Sequence, residues 1–131
     1  MILIEKLDEL AQARLGDAEA LRGAARYDGA LYLCGYAVEL ALKARICRVL
    51  DWSGFPSTSN EFSGATSLKT HDLDVLLKFS GQERRIKSGH FEHWNVVASW
   101  KPEVRYSAIG SVSSSVAERM IASARILIGE L

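Results

Sequence analysis

The segment from Arg84 to Arg105 carries the side chains best suited to work on a polyanion. Arg84, Arg85, Lys87, Lys101 and Arg105 stand against Glu83, Glu92 and Glu103, with Trp94, Trp100 and Tyr106 among them. Cations hold phosphate, and aromatic rings stack on bases, so the mixture suits nucleotide or single-strand contact. The surplus is small, and Phe91 and Trp94 fall where core is expected. His90 and His93 lie three apart, a spacing that can place two imidazoles on a metal. No Cys or further His is nearby and Glu92 faces elsewhere, so no metal site is expected. His71 follows Thr70 at a helix start, where a structural hydrogen bond is its expected work. No Ser/His/Asp set, phosphate-cradling Gly-rich loop or pair of carboxylates is evident, and no cofactor is called for.

The element that must organise these residues is Asp28–Leu50, the most apolar run in the chain. Leu31, Cys34, Val38, Leu42 and Val49 recur at roughly helical spacing, with Leu33, Ala37, Leu40, Ala44 and Cys47 in a second stripe beside them. Two stripes make a wide apolar face, which predicts a central helix touching several neighbours. Glu39, Lys43, Arg45 and Arg48 leave a narrow wet edge, and Glu39 precedes Lys43 in the favourable order for a helix pair. Gly29 and Gly35 allow another helix to approach closely. The wide face also predicts a homodimer, since symmetric pairing would bury what one bundle leaves exposed.

The chain of 131 residues is enough for a single domain over 1–131. At 48% hydrophobic and 24% charged, it has an ordinary globular composition. A formal net charge of zero excludes a protein that grips nucleic acid with its whole surface, so any such contact must be local. Cys34 and Cys47 fall on one predicted helix, about 20 Å apart, too far to bond. That fits a reducing compartment, most simply the cytoplasm. The first residues are charged too early for a signal peptide, and no apolar run reaches membrane-spanning length.

Apolar spacing from Leu3 to Ala25 predicts a first helix over 2–24, and Asp28 is placed to cap the second. Asp51–Lys69 reads as a loop, with Trp52, Phe55 and Phe62 pinning it over the core edge. Thr70 is the expected cap of a short helix at 71–79. Ser80 with Glu83 forms a capping-box pattern, so another helix is expected from 81 to just before Pro102, interrupted at Gly89. Arg105–Gly110 is a connection. Caps within Ser111–Ser115 then start a last helix through Val112, Val116, Met120, Ala124, Leu127 and Leu131. No strand alternation is visible. The expected fold is all-α: an antiparallel up-down helical bundle of four long helices and a short one.

The run Arg26–Ala44 resembles the second helix of HEPN domains, the "higher eukaryotes and prokaryotes nucleotide-binding" modules. Ala30, Gly35, Tyr36, Ala37, Glu39, Leu40, Leu42, Lys43 and Ala44 carry the likeness. Thr70-His71-Asp72-Leu73 with Leu76-Leu77 is similar to the family's His-x-Leu segment, and Arg105-Tyr106 to the Arg-Tyr before its last helix. The resemblance implies a small helical module that binds a nucleotide, RNA or a partner protein. It also implies homodimers, often beside a nucleotidyltransferase or an antitoxin protein in toxin–antitoxin systems. Arg84, Lys87, Lys101, Arg105 and Tyr106 are the expected nucleotide or RNA contacts.

Ribonucleases of that family carry Arg, four to six residues, then His, which Arg85 and His90 match. That implies an alternative: metal-independent endoribonuclease chemistry. His90 would move the proton and Arg85 would steady the phosphate. Ile86 stands where those enzymes prefer a polar residue. On an unbroken helix, residues five apart lie about 140° around the axis, so the pair converges only if Gly89 opens the helix. A third reading is a purely structural dimerisation domain.

Overall fold

The computed structural model describes residues 1–131. The chain is mostly helical, with one very small sheet. In order it forms strand β1 (Ile2–Leu3), α1 (Ile4–Gly23), α2 (Tyr27–Val49), strand β2 (Gly54–Phe55), α3 (Leu73–Phe79), α4 (Glu83–Gly89), α5 (Phe91–Ala98) and α6 (Ser114–Glu130). Single 3-10 turns lie at Thr66–Leu68 and Pro102–Tyr106. No helix is long and apolar enough to cross a membrane.

The centre is α2, as its two apolar stripes require. It packs against α1, α3, α6 and the 102–106 turn. Ala30, Cys34, Ala37, Val38, Leu42, Ala44, Ile46 and Cys47 are all sealed in the core. Most of each stripe is therefore consumed within the chain; Leu31, Leu33 and Leu40 are half-buried and Val49 is exposed, so part of the apolar area that suggested a homodimer still reaches the surface. Both cysteines are free and buried. Burial pushes the Cys34 thiol up to about 12.

The two glycines of α2 do different work. A Cβ on Gly29 would meet Leu21 Cδ1 of α1 at 3.2 Å, a tight helix–helix approach in which the flexible leucine end would have to give by a few tenths of an ångström. A Cβ on Gly35 would lie 2.1 Å from the Trp100 indole. The close neighbour there is a ring delivered by the chain after α5, not another helix.

Several local expectations need correction. The long helix over 81–101 is two short ones. His90 leaves the helical region at φ −136° and ψ 35°, and α5 restarts with Trp94 N–H donating to the His90 carbonyl at 2.9 Å. Three long helices result, not four. Asp28 does not cap α2. Its carboxylate instead accepts from Gly110 N–H at 2.6 Å and Val112 N–H at 3.0 Å, tying α2 to the loop before α6. The α3 cap is Asp72, which accepts from Asp74 and Val75 N–H at 2.9 and 3.2 Å, while Thr70 accepts only from Asp72 N–H. Ser80 accepts from Gln82 N–H and donates to the Leu77 carbonyl, without a reciprocal bond from Glu83. Ser113 caps α6 as its position suggested, accepting from Val116 N–H at 3.2 Å.

In the loop, Phe55 and Phe62 are buried edge to face, 5.9 Å between centroids. They pin it to the core, and β2 lies against β1 in the register Ile2–Phe55 and Leu3–Gly54. A two-residue strand has no alternation to read. Phe91 is exposed, contrary to its assignment to the core, whereas Trp94 is buried.

Candidate functional site

The proposed polyanion contacts separate into two places. The first is the α4–α5 corner. Because the helix opens at Gly89–His90, Arg85 and His90 reach the same group, the carboxylate of Glu130 on α6. Arg85 Nη1 donates to Glu130 Oε2 at 2.8 Å, and His90 Nε2 stands 3.7 Å from Oε1. Arg85 also donates from Nε to Gln82 Oε1 at 2.9 Å and from Nη2 to the Glu130 carbonyl. A guanidinium on the last carbonyls of a helix favours the negative end of its dipole. The cation is thus fully engaged with its own chain. Lys87 is engaged too, at 2.9 Å from Asp74 and 3.0 Å from Glu83. The Lys87 ammonium holds the Asp74 carboxyl below its usual range. Arg84 is exposed and makes no ion pair. His93 Nδ1 meets Ser123 Oγ at 3.0 Å. No cluster of three or more metal-binding side chains forms.

The second place is the face where α2 meets the 102–106 turn. Lys101 and Arg105 are exposed there, and neither pairs with a carboxylate. Arg105 stands 4.9 Å over the ring of Tyr106, itself 76% exposed. The neighbouring Tyr36 hydroxyl, then the Arg105 guanidinium, lowers the Tyr32 phenol from its ordinary value. Burial, then the neighbouring Tyr32, pushes Tyr36 up to about 12. The rings of Tyr32 and Tyr36 meet edge to face at 5.2 Å, and Tyr36 meets Trp100 at 4.9 Å. Trp100 rests on Gly35, and its buried Nε1 has no hydrogen-bond partner. A cleft of about 260 Å³ opens beside Tyr32 and Arg105.

One feature of this face escaped the sequence reading. Glu39, assigned to a wet edge, is only 3% exposed. Its carboxylate accepts from Lys43 Nζ at 3.1 Å, as the spacing predicts, and also faces His71 Nδ1 at 2.7 Å. A buried carboxylate needs such partners, because stripping it of water without them is prohibitive. The signal was present only in pieces: Glu39 and His71 both belong to the segments that carry the family likeness.

No family model matches the chain, and no curated protein or solved structure is found to be similar to it.

Proposed function

We propose that the chain is a small HEPN-like module that binds a nucleotide or RNA on the face formed by α2 and the 102–106 turn. One observation carries this reading. Lys101 and Arg105 are cations without internal carboxylates, next to an exposed aromatic ring. Arg105 and Lys101 take phosphate, and Tyr106 offers a stacking surface for a base. By the same reading it works in the cytoplasm as a homodimer, beside a nucleotidyltransferase or antitoxin protein. Pairing would have to use the apolar side chains left outside, such as Phe91, Val116 and Ile126. The test is fluorescence titration with nucleotides and a short labelled RNA. Arg105→Ala should weaken binding about tenfold without lowering the melting temperature, and affinity should fall as salt rises, because bound phosphates release counterions. Absence of any salt-sensitive binding would overturn the reading and leave a structural dimerisation domain.

A second reading has one observation in its favour. The break at Gly89–His90 brings Arg85 and His90 to one carboxylate. An endoribonuclease would place a phosphate where Glu130 now sits. RNA cleavage in EDTA that falls about 100-fold or more in His90→Ala would replace the first reading by this one.

A further inference from the structure

Neither reading uses Glu39 and His71. A carboxylate facing Nδ1 holds the ring proton on that nitrogen, so the neutral imidazole keeps its lone pair on Nε2. His71 Nε2 has no hydrogen-bond partner in the protein, and the side chain is 57% exposed. The ring lines a cleft of about 330 Å³ with Thr70, Ser99, Trp100 and Lys101. Lys101 brings a free ammonium to that cleft. Two carboxylates also lie at its margin. Asp72 is already committed to the N–H groups of α3, and Glu103 is exposed.

The other two histidines lack this combination. His93 turns Nδ1 to a hydroxyl and is half-buried. His90 directs Nε2 at Glu130, and its side chain is 25% exposed. Only His71 joins a buried carboxylate on one nitrogen, an open lone pair on the other and a cation in the same cleft. Those are the requirements of an activated nucleophile whose attack creates negative charge.

We propose that His71 is a phosphoryl-acceptor site, taking the group from a small reactive donor such as an acyl phosphate or a phosphoramidate. The Nε2 lone pair attacks phosphorus. An N–P bond forms as the donor's P–O or P–N bond breaks. The leaving group departs with that electron pair, as a carboxylate from an acyl phosphate or, with a proton from solvent, as ammonia from phosphoramidate. The Nδ1 proton stays on the ring, and the positive charge that develops there faces Glu39. Lys101 steadies the phosphoryl oxygens. Glu39 is a positioning residue and touches no donor atom. The inference does not depend on nucleotide binding at Arg105.

The test uses the whole chain, potassium phosphoramidate as donor and EDTA, with peptides mapped by mass spectrometry under alkaline conditions. One phosphoryl group should appear on His71, about tenfold faster than on His90 or His93. Lys101→Ala and Glu39→Gln should each slow it about tenfold, and His71→Gln should remove it. Equal labelling of all three histidines, no labelling of His71, or an unchanged rate in Lys101→Ala would overturn the proposal. Glu39 is buried, so Glu39→Gln is first checked for a cooperative melt. If it does not fold, the wild-type map and Lys101→Ala decide. A failure here leaves RNA titration of the Arg105 face unaffected, so the two proposals fall separately.

Discussion

The α4–α5 corner and the face between α2 and the 102–106 turn are both built from cations, yet they use them differently. At the corner Arg85, Lys87 and His90 meet Glu130, Asp74 and Glu83 of the same chain. On the other face Lys101 and Arg105 pair with no carboxylate, and the buried carboxylate of Glu39 is held by Lys43 and His71. A cation already neutralised must give up its partner before it binds a ligand; an unpaired cation has nothing to lose. Residue type alone made the corner look as promising as the face. Partner geometry separates them.

The largest expected effect tests how the second face is held. Gly35→Ala puts a methyl group 2.1 Å from an indole that is buried and cannot rotate away cheaply. Overpacking of this kind costs about 1–3 kcal/mol or more. Trp100 should be driven off α2, carrying with it the edge of Tyr36 and the start of the 102–106 turn. Thermal unfolding should shift down by several degrees, and Trp fluorescence should move to longer wavelength. An unchanged melt and emission would mean that the turn is not seated through Trp100, and the contrast between the regions would lose its structural basis.

How far such contrasts were legible depends on the range of the interaction. Residues in α1, α2 and α6 bury most of the faces read from their own periodicity, Val49 and Val116 being the exposed exceptions, and those helices end within about three residues of expectation. Val38 is sealed in the core as its stripe requires. Gly89 marked a weakness in the chain, but only the backbone of His90 turns it into a break. The fate of Glu39 could not be read locally. Its partner Lys43 lies one turn away, whereas His71 arrives across a long loop. The meeting of Arg85 with Glu130 is likewise nonlocal, and so is the use of Asp28 as a clamp on Gly110 and Val112.

A smaller effect is expected at the corner. Glu130→Gln removes the charge that Arg85 and His90 share, at side chains 46% and 25% exposed. Exposed pairs contribute about 0–1 kcal/mol, so the melting temperature should fall only slightly. RNA affinity should stay at the wild-type value, because Arg85 still clasps the Glu130 carbonyl. A variant that binds RNA more tightly, with the gain abolished by Arg85→Ala, would break the comparison. The corner would then be an anion seat that Glu130 keeps closed.

The smallest expected effect is a pH dependence within the corner's paired set. Lys87 lowers the Asp74 carboxyl, chiefly through their hydrogen bond, and Asp74, then Glu83, raises the Lys87 ammonium. A carboxyl depressed by folding adds stability above its unfolded pKa, and that stability is lost as pH falls through the folded value. An ammonium raised by folding adds stability below its unfolded pKa, lost as pH rises through the raised value. Between about pH 4 and pH 10 both contributions are fully present. Lys87→Met should therefore melt slightly below the wild type at neutral pH, and the gap should narrow as the solution is taken below about pH 4. Both groups are more than a third exposed, so salt should narrow it as well. Differential melts of wild type and variant across pH measure it directly. A gap that stays constant into acid would mean that Lys87 supports α4 by packing its stem rather than by charge, leaving its ammonium free for a ligand after all.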